Sequence, residues 1–312
     1  MSVFRVHLKP SIDGGVTYSE ILDFCKKNEI IGVGWASVKG KTDDYYALKQ
    51  ECDILTGEDG VYKGDKGVFK SVNAIRQIQP GDFIWTRDGG KASTYYLCRA
   101  SELRWTDRIV TDEHIRHDIT NFVGCKWITV GSEDKVPGHV VNSFRPTLTA
   151  QHVYNVDKIT SIIWNRYCDA KDRIEIEQEC NDDFWNNLIG TEDLECLVLL
   201  YLQSKGYYVY SSTIKKDTKT YEAVLVSKDG SHRCYPQVKQ NEELKPIEYI
   251  EGIDPKDCVV LFSSCEAYGE SHPQVKCLKR KDLEEFIINN YALIPERIKA
   301  WIDYTNMKDS IK

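Results

Sequence analysis

The stretch Thr220–Gln240, TYEAVLVSKDGSHRCYPQVKQ, decides how the second half of the chain folds. An apolar run, Ala223–Val226, leads into Ser227-Lys228-Asp229-Gly230-Ser231, and a second extended run follows over Arg233–Lys239. Asp-Gly between two such runs is the strongest short-range signal for a β-hairpin. A two-residue Asp229-Gly230 turn pairs Lys228 with Ser231, and counting back sets Glu222 opposite Gln237. Lys239 lies two residues beyond Gln237, so the two side chains share a face. A carboxylate, an amide and an amine then stand close together. A carboxylate and an amide oxygen can hold a hard divalent cation such as Mg²⁺. A lysine beside that ion can stabilise charge on a phosphate or orient an attacking water. The same three residue types are also ordinary on a solvated sheet face. Pro236 removes a ladder donor, so its nitrogen is expected to point away from the partner strand.

An acid on one strand and Gln-x-Lys on the next resembles the nuclease core of the PD-(D/E)xK superfamily. It is closest to the Mrr-like branch, which carries Gln where other branches carry a second acid. The preceding helix is similar as well: Leu194-Glu195-Cys196-Leu197-Val198, then Leu202 and Gly206-Tyr207 opening the next strand. The resemblance spans roughly residues 190–265. It implies a restriction-endonuclease-like α/β/α domain with a mixed sheet. In it Glu222, Gln237 and the backbone carbonyl of Val238 hold Mg²⁺, Lys239 serves the attacking water or the transition state, and Glu195 tunes the metal site from the helix. One position departs from the pattern. The family usually carries Asp, often in a Gly-x-Asp context, where this chain has Tyr221-Glu222, and the extra methylene changes how the ion would sit.

Composition bounds the class. The chain has 312 residues, room for two ordinary domains, with 41% hydrophobic and 29% charged residues. No apolar run approaches the ~20 residues of a membrane span, and MSVFRVHLKPSIDGG has no signal-peptide core. A cytoplasmic protein is expected. The eleven cysteines form no CxxC pair and lie inside apolar runs, which suits reduced core thiols rather than zinc ligands. A formal net charge of −7 excludes a protein coated in positive charge, though not a local basic groove.

Along the first half, Phe4–Leu8 reads as a strand. Tyr18, Ile21, Leu22 and Cys25 fall at helical spacing. Ile30–Val33 is a buried strand ending in Gly34-Trp35-Ala36-Ser37. Asp43–Cys52 and Ser71–Gln79 are short helices around a Gly- and Lys-rich loop, Gly60–Lys70. Phe83–Thr86 and Thr94–Ala100 form a second hairpin around Asp88-Gly89-Gly90. Ile31-Gly32-Val33-Gly34-Trp35-Ala36, then Asn73-Ala74-Ile75-Arg76-Gln77-Ile78 with Gly81-Asp82-Phe83-Ile84, is similar to the PUA-like folds of the EVE and YTH kind. That likeness covers about residues 30–105. It implies a β-barrel with helices that holds one modified base in an aromatic pocket, with Trp35, Trp85 and Asn73 at the matching positions and Ser37 and Thr86 as nearby polar groups. Flat π surfaces are what sandwich an extruded base. Trp35 and Trp85 are equally well read as barrel-core aromatics.

Phe122–Val130 is expected to complete the barrel. Asp112–Asp118, with His114 and His117, is read as a solvated loop. Thr147 or Thr149 can cap a helix carrying Val153, Val156, Ile159, Ile163 and Tyr167. Asp169–Asp183, highly charged, reads as a linker or solvated helix. In the second half, helix Glu192–Lys205 is capped by Thr191 and ended by Gly206. Strands are expected at Tyr207–Ser211, the hairpin, Asp257–Ser263 and Val275–Leu278, then helix Lys281–Asn290. An α-β-β-β-α-β order suits the nuclease core.

Domains are therefore expected over 1–148 (base-reading barrel), 149–183 (linker) and 184–312 (nuclease), in an α/β, or α+β, protein. The combination implies a modification-dependent DNA endonuclease of prokaryotic defence, dimeric because one active site cuts one strand. A binder of modified nucleic acid with an inert core, or an RNA-directed protein, are the alternatives.

Overall fold

The computed structural model describes residues 1–9, 15–89, 93–145, 148–177, 184–214 and 221–307. Thr220, Gly90, the proposed cap Thr147 and the end of the charged stretch, 178–183, lie outside these residues. The chain is mixed α/β and forms two compact units, Met1–Ile176 and Glu177–Lys312.

The first unit is built on a curled six-stranded sheet, a half-barrel. Its elements are β1 (Val3–Val6), α1 (Tyr18–Lys27), β2 (Ile30–Val33), α2 (Tyr45–Thr56), α3 (Gly67–Gln77), β3 (Phe83–Arg87), β4 (Tyr95–Ala100), α4 (Asp112–Arg116), β5 (Asn121–Gly131), α5 (Gly138–Ser143), β6 (Ala150–His152) and α6 (Asp157–Tyr167). The strand order is β2-β5-β4-β3-β1-β6. Strand β1 runs parallel to β3, and the other pairs are antiparallel. Helix α1 starts at a reciprocal cap in which Thr17 and Glu20 bond each other's backbone N–H. It buries Ile21, Leu22 and Cys25, the stripe its spacing requires. One sheet face carries Phe4, Val6, Ile84, Tyr96 and Cys98 into the main core with α1 and α3. The opposite face presents Phe83 and Trp85 to α6, where Phe83 lies 5.7 Å from Trp164.

Three local expectations are corrected. Helix α3 begins at Gly67, inside the stretch read as loop. Residues 112–116 form α4, and its histidines stack on phenylalanines: His114 on Phe122 at 4.6 Å and His117 on Phe24 at 4.1 Å. Residues 150–152 are strand β6, paired antiparallel with β1, and α6 starts only at Asp157. The polar Gln151-His152 pair suits an edge strand, and the segment expected as linker thus joins the first unit's sheet.

The second unit carries a five-stranded mixed sheet of order β11-β10-β9-β8-β7. It comprises α7 (Thr191–Ser204), β7 (Tyr207–Val209), β8 (Leu225–Ser227), β9 (Arg233–Lys239), β10 (Cys258–Ser263), β11 (Val275–Leu278), α8 (Arg280–Asn289) and α9 (Glu296–Tyr304). Gly206, at φ +93°, ends α7 in a conformation that favours glycine. The expected helix between β9 and β10 is absent. Their parallel crossover is a loop with one 3₁₀ turn, Pro246–Tyr249. Pro246, Gly252 and Pro255 interrupt any longer helix there.

The hairpin closes differently from the two-residue turn. Ser227 N–H donates to His232 O at 3.0 Å and Gly230 N–H to Ser227 O at 2.8 Å, so Lys228–Ser231 is a four-residue connection. The Asp229 carboxylate accepts from Ser227 Oγ and the Ser231 N–H, which closes the loop. The pairing is nevertheless Leu225↔Cys234 and Val226↔Arg233. Two- and four-residue connections centred on the same bond give one register at Leu225–Val226. Strand β8 begins only at Leu225, however, and the Glu222 N–H meets Pro236 O, one residue out of that register, so the expected Glu222–Gln237 pair lies outside the ladder.

Among the described residues, no helix is long and apolar enough to cross a membrane. The described cysteines are all free.

Candidate functional site

Past the end of β8 the chain stays beside β9. Glu222 N–H donates to Pro236 O at 2.9 Å. Pro236 therefore sits beyond the β8 ladder, where no strand donor is needed. The Glu222 carboxylate accepts from Val238 N–H at 3.4 Å. In a strand the N–H and C=O of one residue point to the same side, so the Val238 carbonyl also faces Glu222. Burial raises the Glu222 pKa above the usual carboxylate range, opposed by the Val238 N–H and by the positive charge of Lys239. Glu222, Val238 and Lys239 are thus brought together.

Gln237 alternates with Val238 and faces the side of the sheet that carries Tyr235, Lys239, Val259 and Leu261. It is fully buried, and neither its amide oxygen nor its amide nitrogen has a hydrogen-bond partner among the described residues. Leaving such a group unsatisfied costs about 1–3 kcal/mol. The burial follows from the β9–β10 crossover. That loop folds over this face with Leu244 and Tyr249, and the Tyr221 hydroxyl donates to Tyr249 O at 2.8 Å. Glu195 is half-buried on α7, the helix that packs on β9. The contacts that hold the Glu222 carboxylate come from Val238 and Lys239.

The donor set is one carboxylate, one orphaned amide oxygen and one backbone carbonyl. All three are hard oxygen ligands, and so few protein donors suit an ion that keeps most of its waters, as Mg²⁺ does. Among the described residues, no group of three or more His, Cys, Asp or Glu side chains is placed to hold a metal ion.

In the first unit, Trp35 is half-buried and packs its inner edge against the main core. Its backbone is left-handed, at φ +65°, a strained conformation for a bulky residue. Asn121 Nδ2 donates to the carbonyls of Gly34 and Trp35, and the Asp118 carboxylate accepts the Trp35 N–H. Gly34 is required there, because a Cβ would lie 2.1 Å from Asp118 Oδ1. The indole Nε1 donates to Asp65 Oδ2 at 3.1 Å. The ring borders an open groove of about 520 Å³ with Asp65, Lys66, Lys70, Leu148 and Thr149.

The other pocket candidates are not walls of this groove. Trp85 is fully buried, and its Nε1 donates to Thr160 Oγ1 at 3.1 Å. It is a core residue because strand alternation turns it toward α6. Thr86, fully buried and with its Oγ1 likewise unpartnered among the described residues, faces the opposite side, toward the main core. Asn73 Oδ1 accepts from Arg76 Nε and Nη2 one turn along α3. Ser37 is fixed by its N–H, which donates to the Tyr62 hydroxyl. Lys66 and Lys70 were missed because Gly60–Lys70 reads as a loop. Two lysines just before and at the start of an amphipathic run were the available signal.

Comparison with known proteins adds no family: no protein-family model, no curated protein and no solved structure matches the chain.

Proposed function

We propose that this protein is a modification-dependent DNA endonuclease: a PUA-like first unit reads a base and a restriction-endonuclease-like second unit hydrolyses a phosphodiester with Mg²⁺. The observation that carries the proposal is the fully buried amide of Gln237, unpartnered among the described residues and in sequence next to Val238, which with Lys239 contacts the Glu222 carboxylate. An apolar side chain would be more stable at that position, and a metal ligand accounts for the amide. Glu222, Gln237 and the Val238 carbonyl would hold Mg²⁺, which supplies positive charge to the scissile phosphate. Lys239 donates to the attacking water or to the phosphoryl oxygens as negative charge builds in the transition state. Glu195 acts from α7. At the other end of the reaction, Trp35 offers one π face for stacking, and Lys66 and Lys70 attract the backbone.

The test is cleavage of plasmid DNA, methylated or hydroxymethylated against unmodified, with Mg²⁺ and then with EDTA. Metal-dependent cutting of modified DNA, lost in Lys239→Ala, is expected. Binding without cutting of any substrate would overturn the hydrolase.

One observation favours a second reading. Gln237 is wholly enclosed, and burial opposes ionisation of Glu222. Both suit an inert core whose first unit binds nucleic acid alone. That reading predicts metal-independent binding lost in Trp35→Ala. Preference for single-stranded RNA in the same assay would redirect the target, since stacking on Trp35 does not discriminate between sugars.

A further inference from the structure

Arg5 lies on β1, and His7 and Lys9 follow at alternate positions just past its end, close enough that Arg5 and Lys9 both act electrostatically on His7. Arg5 pairs with Trp85 on parallel β3, and Arg87 is two residues further along the same face. Strand pairing thus gathers four basic side chains. Three of them lie around one aromatic ring. The guanidinium carbons of Arg5 and Arg87 lie 5.6 and 5.2 Å from the Phe144 centroid, and the His7 ring lies 5.7 Å from it.

Arg5 is fully buried. Its Nη1 donates to the Leu148 and Thr149 carbonyls, but its Nε and Nη2 have no partner among the described residues. Arg87 Nε and His7 Nδ1 are likewise buried and unpartnered. No carboxylate acts on Arg5 or His7. Burial and Arg87 push the Arg5 pKa down to about 10. Burial, Lys9, Arg87 and Arg5 together push His7 down to about 4. Exposed Glu133 accepts from the Tyr95 hydroxyl at 3.3 Å, and that hydroxyl also bonds Arg87. Arg5, with unspent donors, forms the floor, while half-buried His7, Lys9 and Arg87 form a rim open to solvent.

Buried cations require pairing. Several donors converging from two strands match a tetrahedral oxyanion better than a planar carboxylate, and guanidinium groups bond phosphate oxygens strongly. We propose that Arg5, His7, Lys9 and Arg87 form a binding site for one phosphoryl group, supplied either as inorganic phosphate or as a phosphate of a nucleic-acid chain. The proposal does not depend on cleavage by the second unit and stands if that activity is absent.

The experiment is calorimetric titration of the full chain with inorganic phosphate and, separately, with a short single-stranded oligodeoxynucleotide. Both are repeated on Arg87→Gln and Arg5→Met. One-to-one binding is expected, weakened at least about tenfold in Arg87→Gln, the loss of one charge-assisted hydrogen bond. Inorganic phosphate should also raise Tm in the wild type and less so in the variant. Binding of phosphate itself identifies a free-anion site. Binding of the oligonucleotide alone, still sensitive to Arg87→Gln, identifies a backbone contact. No binding of either ligand, or binding unchanged in Arg87→Gln, overturns the site. Because Arg87 is half-buried at a strand end, that variant keeps the test decisive if Arg5→Met does not fold.

Discussion

Trp85 on β3 and Gln237 on β9 were both candidates for functional groups, and both are fully buried. They differ in how their polar atoms are satisfied. The one polar atom of Trp85 is bonded to Thr160, whereas both polar atoms of Gln237 are unpartnered. Trp85 is finished as a core residue. Gln237 is not, and the free energy its amide forfeits needs a ligand or a reaction to account for it. Burial alone separates neither case; an amide with both polar atoms unsatisfied stands apart even from Thr86, whose single hydroxyl is also unpartnered among the described residues. Arg5 falls on the Gln237 side of this division.

Substitutions can break or sharpen the contrast. The largest effect is expected from Trp85→Ala, a loss of about 3–5 kcal/mol from a cavity in the core, measured by denaturant unfolding. A stable variant with weakened DNA binding would return Trp85 to the base pocket. Lys239→Ala should slow cleavage by roughly 10²–10³-fold, the effect of removing one group that stabilises transition-state charge, with little change in Tm because Lys239 is half-buried. Gln237→Leu, close in volume, should abolish cleavage yet stabilise the fold by about 1–3 kcal/mol, since it removes the unsatisfied amide. Destabilisation there would show that the amide is bonded in solution and dissolve the contrast.

The smallest effect is on pH dependence. The folded-state pKa of His7 is held near 4, below its ordinary value of 6.5. Between these values the unfolded chain binds more protons than the folded one, so stability falls as pH drops from about 6.5 to about 4. His7→Gln should flatten that part of the stability curve. Bound phosphate should raise the His7 pKa and flatten it too, which a histidine-resolved NMR titration would follow.

The hairpin was legible because its signals are local. Asp229-Gly230 places the turn and fixes the register at Leu225–Cys234 and Val226–Arg233 whether the connection has two or four residues; beyond β8 the chain slips by one, with Glu222 N–H on Pro236 O. Helix α1 was legible for the same reason: Ile21, Leu22 and Cys25 repeat at helical spacing behind a capping pair. Residues 112–116 were not. Five residues carry too little periodicity, and α4 exists because His114 and His117 can stack on Phe122 and Phe24. Nor was β6, three residues whose partner, β1, is nearly 150 positions away.

The sequence by itself determined the elements whose period and punctuation are local, the β8–β9 register, and which residue types alternate on each strand. Only the tertiary structure decided which face of each strand is buried and what covers it. Helix α6 makes Trp85 core, and the β9–β10 crossover encloses Gln237. Parallel pairing of β1 with β3 brings Arg5 and His7 beside Arg87 across some 80 residues of chain. The physical reason is that strand alternation is encoded within a few residues, whereas burial and charge pairing depend on neighbours that only long-range packing supplies.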